Sequence, residues 1–236
     1  MAAVSLLSAR GLVRHFGGLR AVDGIDFDLV AGQIHALIGP NGAGKTTFVG
    51  LLSGRIPVQA GTIWFNGQDI TRLPAHRRVA LGLAYTFQIT SIFAALSVYD
   101  NVALAAQRRH PRDLRSATMA YLARVGLEGR ADQVAGTLAY GHQRLLEIAM
   151  GLALEPRLLI LDEPTQGLAN AEIDGFKALV RGVVGQTTVL LIEHNMEVVM
   201  DLADRITVLD AGLVLASGLP AEISANRAVQ AAYLGG

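Results

Sequence analysis

Apolar residues in the first third of the chain follow the pattern of short strands, with one helical stretch among them. The predicted strands are residues 6–13, 24–30, 34–38 and 62–65. An Asn66-Gly67 turn follows the last of these strands. Helical spacing begins at Lys45 and stops at Gly54, a residue type that commonly ends helices. This part of the chain is therefore predicted to be rich in β-structure.

The middle of the chain has a different pattern. From residue 97 to about residue 150 the spacing of apolar residues is helical, with breaks at Pro111, Gly126 and Gly129. The pattern predicts an inserted helical subdomain, with bounds of about 91–154.

Strands and helices alternate in the last third of the chain. The predicted strands are residues 158–161, 188–192 and 206–209, and the predicted helices lie near residues 171–184 and 196–203. Such alternation is typical of a parallel sheet whose faces are covered by helices. We therefore predict a single α/β domain, in which residues 1–90 and 155–236 form the core together with a β subdomain.

Composition limits where the chain works and what it binds. Hydrophobic residues make up 51% of the sequence, yet no run reaches the roughly 20 apolar residues that span a membrane. This predicts a cytoplasmic protein. Lys+Arg and Asp+Glu balance at 20 each, so no overall positive field favours binding to nucleic acid. The absence of cysteine excludes disulfides and thiolate metal sites.

A glycine-rich motif follows the strand predicted at residues 34–38 and opens the first helix. It reads Gly39-Pro40-Asn41-Gly42-Ala43-Gly44-Lys45-Thr46 and matches G-x-x-x-x-G-K-[ST]. Glycines let successive backbone N–H groups wrap phosphates, and the helix adds its positive end. The motif and the following Thr47 are the predicted ATP-binding residues, with Lys45 on the β- and γ-phosphates and Thr46 on Mg²⁺.

The alternative to a phosphate loop is a glycine-rich turn that happens to precede a lysine. Lys45 and Lys177 are the only lysines in a chain that otherwise uses arginine, which argues against that alternative.

Two adjacent carboxylates follow the apolar strand predicted at residues 158–161. In open α/β sheets, ligands bind at the carboxyl ends of the strands. Asp162 is predicted to hold Mg²⁺, and Glu163 to orient and polarise the attacking water. Taken alone, two acids after a strand are equally compatible with a solvated turn. Their pairing with the phosphate loop favours the catalytic interpretation.

The order of these motifs resembles the ABC transporter ATPase family over nearly the whole chain. The resemblance implies a P-loop NTPase core with a mostly parallel sheet, an antiparallel β subdomain and an inserted helical subdomain, which hydrolyses ATP with Mg²⁺. It also implies three further roles. Phe16 matches the aromatic that stacks on adenine, Gln88 the glutamine that links Mg²⁺ and water to the transporter interface, and His194 the switch histidine on the γ-phosphate. Taken alone, Phe16 also fits a core position and His194 a packing or surface position.

The signature motif of that family has an altered form here. Its residues are Leu138, Ala139, Tyr140, Gly141 and His142, followed by a long apolar helix. The resemblance implies that this segment faces the γ-phosphate held by a second subunit. Gly141 is retained, whereas the serine and the terminal glutamine are replaced. The aspartate usual at Ala169 is also missing, so we expect an effect on hydrolysis rate rather than on nucleotide binding.

Several segments resemble one branch of the family, the nucleotide-binding subunits of branched-chain amino acid importers. They are residues 86–101, the Leu-Ala-Tyr-Gly signature, residues 193–195 and residues 232–235. The resemblance implies a second ATPase subunit, identical or different, membrane permease subunits, and indirectly an extracytoplasmic solute-binding protein. The chain would then lie on the inner face of the membrane. Related subunits also serve urea and amides, so the cargo stays open.

Other functions share part of these motifs. The ATPase of a lipopolysaccharide-type exporter is the second interpretation, because it has much of the same pattern. A soluble ABC factor in translation or DNA repair normally carries two cassettes or a long coiled-coil insertion, and neither is present. A P-loop kinase or GTPase has no reason to place Gln88, Gly141 and His194 in this order.

Three apolar residues follow Gln88 closely: Ile89, Ile92 and Phe93. Apolar side chains in a loop suit a groove for a cytoplasmic helix of a membrane subunit. Burial inside the helical subdomain is the alternative.

Overall fold

The computed structural model describes residues 5–86 and 91–234. The chain divides into two compact units. The first comprises Met1–Leu81 and Thr188–Gly236, and the second comprises Gly82–Thr187. Within the described ranges, every helix is too short or too polar to cross a membrane.

The described part of the chain contains strands and helices with the following bounds. The strands are β1 (Ser5–Phe16), β2 (Leu19–Val30), β3 (Ile34–Ile38), β4 (Ala60–Phe65), β5 (Gln68–Asp69), β6 (Leu83–Tyr85), β7 (Leu158–Asp162), β8 (Thr188–Ile192), β9 (Arg205–Asp210) and β10 (Leu213–Gly218). The helices are α1 (Lys45–Ser53), α2 (Ala75–Ala80), α3 (Val98–Ala106), α4 (Leu114–Arg124), α5 (Tyr140–Ala153), α6 (Asn170–Val183), α7 (Met196–Leu202), α8 (Pro220–Ser224) and α9 (Arg227–Leu234).

An antiparallel sheet occupies the N-terminal part of the first unit. Its strand order is β2-β1-β4-β5. β1 and β2 form a long hairpin in which Leu12 pairs with Ile25, and both side chains are buried. Period-2 alternation places one face of these strands in the core. This sheet is the expected antiparallel β subdomain.

Parallel strands form the second sheet region of the first unit. β3 lies between β8 and β9, parallel to both, and β10 adds an antiparallel edge to β9. Every residue of β3 and β8 is buried, as expected for parallel strands covered on both faces. In this register Leu37 pairs with Ile192, so the loops after β3 and β8 leave the sheet at the same edge.

One face of this sheet region packs against the C-terminal helices. Ile38 and Val208 from the strands lie in one hydrophobic cluster with Val199 of α7, Ile223 of α8 and Val229 of α9. The burial of α8 and α9 residues against β3 stabilises the strand from which the phosphate loop departs.

The second unit combines a strand pair with helices. β6 and β7 are parallel neighbours, with Leu83 paired to Leu158 and Tyr85 to Ile160. α3, α4 and α5 contact one another, as the helical pattern of the middle segment predicted. Leu146 and Ile148 of α5 are among the buried residues. The bounds 91–154 for a helical subdomain stay a prediction.

The predicted α/β fold class is confirmed, and several short elements add to it. The sequence pattern missed β6, α2, α8 and α9 because elements of three to eight residues are too short to show a reliable period. β10 was also missed. In the structure it follows a tight hairpin turn, in which Ala211 and Gly212 have φ of 45° and 81°.

Candidate functional site

The phosphate loop connects the end of β3 to the start of α1 in the first unit. Gly39 has a φ of 150°, and a Cβ on it would collide with the carbonyl oxygen of Leu209. Lys45 is only 7% exposed. Its Nζ donates to the carbonyl oxygens of Gly39 at 2.6 Å and Pro40 at 3.0 Å. The lysine therefore holds the loop closed around its own ammonium group.

The loop turns into α1 at Gly44. This residue has a φ of 100°, and a Cβ there would collide with the carbonyl oxygen of Ala21, so glycine is required. Among the described residues no side chain caps α1, and its first turn has no acidic residue. The first N–H groups and the positive end of the helix can therefore bind an anion. Thr46 is exposed at this end.

Phe16 stands at the end of β1 with 45% of its surface exposed. Core phenylalanines such as Phe27 and Phe48 are 4% and 0% exposed. The Arg14 guanidinium carbon lies 4.8 Å from the centroid of the Phe16 ring, a cation–π contact on one face. Phe16 is thus a surface aromatic, which is compatible with its expected stacking on adenine.

Asp162 and Glu163 have different surroundings in the second unit. Asp162 ends β7, is 2% exposed, and accepts a hydrogen bond of 2.5 Å on Oδ2 from the Tyr85 hydroxyl. Glu163 is partly exposed and has a left-handed backbone with a φ of 49°. A buried, oriented carboxylate suits a metal ligand, and a more exposed one suits a base that meets water.

The residues present fit Mg²⁺ held together with a nucleotide. This ion prefers hard oxygen ligands, and proteins usually supply one or two of them beside phosphate oxygens and water. The Thr46 hydroxyl of the first unit and the Asp162 carboxylate of the second unit each offer an oxygen of this kind. Over residues 5–86 and 91–234 no group of three or more His, Cys, Asp or Glu side chains forms a metal cage. Each of these oxygens, considered by itself, therefore suits an ion that a nucleotide helps to bind.

His194 is exposed and lies directly after β8. The buried carboxylate of Glu193 accepts hydrogen bonds from the backbone N–H groups of His194 at 3.0 Å and Asn195 at 3.2 Å. The Asn195 side chain then caps α7. Because β3 and β8 are paired neighbours, Gly39 and His194 each follow a strand at the same sheet edge. The first unit thus brings the predicted phosphate loop and switch histidine to one edge.

The signature residues form the start of α5 in the second unit. Ala139 is the N-cap and provides no side-chain cap, Tyr140 is 45% exposed, and Gly141 is buried. His142 is partly exposed, and Leu138 is buried. The positive end of a 14-residue helix is therefore presented beside Tyr140.

Gly141 lies close to Glu172 of α6. A Cβ on Gly141 would be 2.7 Å from Glu172 Oε1. The same carboxylate accepts a hydrogen bond of 2.7 Å from the backbone N–H of Ala169, the residue at which the family's aspartate is missing. Since alanine has no side-chain oxygen, the side-chain capping interaction that the structure describes at this end of α6 comes from Glu172.

Gln88 and Ile89 lie outside the described residues, and their predicted roles stay predictions. Sequence reasoning missed four side chains that support the site: Tyr85, Arg144, Glu147 and Glu172. An acid three residues into a helix signals a cap, which would have indicated Glu172. The signal for the Arg144–Glu147 pair is its i, i+3 spacing on a helix otherwise apolar at its buried positions.

Comparisons with known proteins match nearly the whole chain. The family model described as "ABC transporter" covers residues 22–166, and that described as "Branched-chain amino acid ATP-binding cassette transporter" covers residues 214–236. The chain is 40% identical over 250 residues to the Pseudomonas aeruginosa high-affinity branched-chain amino acid transport ATP-binding protein BraF, with 98% of each covered. It is 38% identical over 249 residues to LivG of Escherichia coli (strain K12), again with 98% of each covered.

Solved structures share the fold. The ADP conformation of MJ1267, an ATP-binding cassette of an ABC transporter, matches with a TM-score of 0.88 at 24% identity, covering 99% of this chain and 100% of that one. The dimeric post-hydrolysis state of the cassette MJ0796 with ADP and Pi matches with a TM-score of 0.82 at 19% identity, covering 91% and 98%. With a family model over most of the chain and relatives at this identity, the protein belongs to the ABC transporter family, as an ATP-hydrolysing, ATP-binding cassette.

Proposed function

We propose that this chain powers the import of branched-chain amino acids, or of related small polar solutes, through separate membrane permease subunits. The observation that carries the proposal is the match of residues 214–236 to the branched-chain amino acid model, because this segment lies outside the general ABC match at residues 22–166. The names of the relatives at 38–40% identity support the same cargo class.

Each residue of the proposed site has a separate role in ATP hydrolysis. Lys45 and the N–H groups of the phosphate loop bind the phosphates, and Phe16 stacks on adenine. Thr46, Asp162 and Gln88 would hold Mg²⁺, which would supply positive charge to the β- and γ-phosphates. Glu163 orients the attacking water and accepts its proton, and His194 contacts the γ-phosphate.

A second cassette completes the site. Leu138 to His142 would face the γ-phosphate held by the partner, with the positive end of α5 stabilising its charge. The exposed Tyr140 supports this role, and so does the start of α5, which no side chain caps among the residues that the structure describes. Both leave the helix end open to a second molecule. The partner is a second ABC ATPase, identical or different, and nucleic acid is not among the partners.

The loop after Gln88 would dock a permease. Phe93 is 54% exposed, and its backbone is held by the buried Asn101, whose Oδ1 accepts from Phe93 N–H at 2.8 Å and whose Nδ2 donates to Phe93 O at 3.0 Å. A clamped backbone presents the exposed ring in one position, which suits a groove for a cytoplasmic helix. Together with the partly exposed Ile92, it would anchor the chain to the inner face of the membrane.

The test uses the chain assembled with its permeases and solute-binding protein in proteoliposomes. We expect leucine-loaded binding protein to stimulate ATP hydrolysis and leucine uptake. Phe93→Asp should release the chain from the permeases with basal ATPase activity intact. Leu213→Asp, at a 51% exposed position of the first unit, is the matched control and should leave assembly unchanged. If lipopolysaccharide stimulates ATP hydrolysis and amino acids do not, the import proposal is wrong and export is the function.

A further inference from the structure

The signature helix α5 contacts the main chain at the end of β7 through Arg144. This residue is 1% exposed, and its Nη1 donates to Glu147 Oε2 at 2.6 Å. Its Nη2 donates to the carbonyl oxygen of Asp162. Glu147 is 5% exposed, so the ion pair is buried. A planar guanidinium can make both contacts at once in a fixed geometry.

The carbonyl group that Arg144 binds belongs to the peptide unit between Asp162 and Glu163. Glu163 has a φ of 49°, the left-handed region in which a residue with a Cβ is disfavoured. Such a conformation persists only where the surrounding structure holds it. φ of Glu163 is the rotation between this peptide unit and the next one, whose carbonyl oxygen, on Glu163, accepts a hydrogen bond from the Gln166 N–H at 3.2 Å. With the second unit held, a guanidinium that fixes the first also restricts the direction of the Glu163 side chain.

We propose that Arg144 is a positioning residue that clamps the Asp162–Glu163 peptide and thereby keeps the Glu163 carboxylate in its working direction. Glu147 holds the guanidinium in place. The inference rests on the proposed role of Glu163 in hydrolysis. Helix α5 then has two roles in the same chain. Its first turn is the signature, and its second turn supports the residue that activates water.

A structural brace is the competing explanation for a buried ion pair, and activity alone does not separate the two. Removing one partner leaves a buried charge unpaired, so both must be changed together. Arg144→Met with Glu147→Leu keeps similar volume without charge. Leu146→Met, at a fully buried position on the same helix, is the control for altered packing.

In the doubly substituted protein we expect kcat to fall roughly 10- to 100-fold, as for a misplaced catalytic group. The KM for ATP and the affinity for nucleotide in EDTA should stay within about twofold. Leu146→Met should keep kcat. A proportional loss of kcat, nucleotide affinity and unfolding cooperativity would show a brace and overturn the proposal.

A second measurement is independent of activity. Glu163→Gly and Glu163→Ala are compared by urea unfolding in the parent and in the Arg144→Met, Glu147→Leu background. The left-handed conformation destabilises the folded state for alanine and not for glycine. The two residues also differ in the conformational entropy of the unfolded chain, but this difference is the same in both backgrounds and cancels. The measured quantity is the unfolding equilibrium constant of Glu163→Ala divided by that of Glu163→Gly. We expect this ratio to be roughly 5–30 times smaller in the Arg144→Met, Glu147→Leu background than in the parent. An unchanged ratio would overturn the clamp.

Two further variants keep the test decisive. If the double variant does not fold, Arg144→Lys keeps a cation beside Glu147 without the second arm that reaches the carbonyl, and the same measurements apply. If Glu163→Gln hydrolyses ATP normally, the proposed role of Glu163 fails. That result is distinct from a failed clamp, which appears in the unfolding comparison.

Discussion

The Tyr85 hydroxyl donates a hydrogen bond of 2.5 Å to Oδ2 of Asp162, across two parallel strands and 77 positions of sequence. The acceptor is a buried carboxylate, and hydrogen bonds to charged groups are stronger than neutral ones. Tyr85→Phe should therefore lower the free energy of unfolding by roughly 1.5–3 kcal/mol. Urea unfolding without Mg²⁺ measures it, with Tyr99→Phe in the same unit as control. Equal midpoints for the two variants would contradict this expectation.

Glu163→Gln should leave ATP binding intact and slow hydrolysis by roughly 10²- to 10⁴-fold, because an amide cannot accept a proton from water. Binding of a fluorescent nucleotide and single-turnover hydrolysis measure the two effects separately. Glu128→Gln, at an exposed position, is the control for loss of a charge. Normal turnover by Glu163→Gln would remove this residue from the mechanism.

Hydrolysis should depend on pairing of two subunits. Lys45→Ala keeps a sound signature, and Gly141→Asp keeps a sound phosphate loop, so each alone should be nearly inactive. Mixed together they can form one complete site, and some activity should return with rising protein concentration. The measurement is ATPase activity of the mixture, repeated with the natural partner and permeases. Normal hydrolysis by Gly141→Asp alone in that assembly would disprove a two-subunit site.

The structure adds a control to this experiment. A side chain at position 141 would meet Glu172 within the same subunit, with Oε1 at 2.7 Å from the new Cβ and Oε2 at 2.9 Å. Aspartate would also repel that carboxylate. We expect Glu172→Ala alone to keep most of the activity, which would show that displacing Glu172 does not by itself stop hydrolysis. A complete loss in Glu172→Ala would assign the effect of Gly141→Asp to this contact instead of to the partner's nucleotide.

His35, the second residue of β3, should make folding stability depend on pH. Burial, with a smaller contribution from Arg205, lowers its pKa from 6.5 to about 4. The unfolded chain therefore binds more protons between these two values, so stability is complete above about pH 6.5 and falls as pH decreases. The total loss is about 3 kcal/mol and is complete only below about pH 4, whereas about 2 kcal/mol of it falls between pH 7.5 and pH 5. Urea unfolding at pH 7.5 and pH 5 measures that part, and His35→Gln should remove most of the difference.

Chemistry carried by contiguous residues could be predicted from the sequence. The phosphate loop and the Asp162-Glu163 pair each consist of neighbours at the end of an apolar strand, so local pattern was sufficient. The contacts that orient them were not predictable, because they depend on strand pairing and helix packing. Arg144 reaches Asp162 across 18 positions, and Tyr85 reaches the same residue across 77.

The same reason explains what was missed in the fold. β6 is recognisable only by its pairing with β7, since three residues show no period. α8 and α9 have five and eight residues, and their role becomes visible only where Ile223 and Val229 pack against β3 and β9.

The two lysines give this protein an unusual chemical surface. Lys45 and Lys177 are each 7% exposed, and the sequence contains no other. Exposed cations are therefore arginines, whose guanidinium groups do not react with amine-directed reagents. An activated ester should find almost no accessible ε-amine on the folded chain. The rate of modification at Lys45 would then measure how often the ammonium leaves the Gly39 and Pro40 carbonyls, and therefore how often the phosphate loop opens.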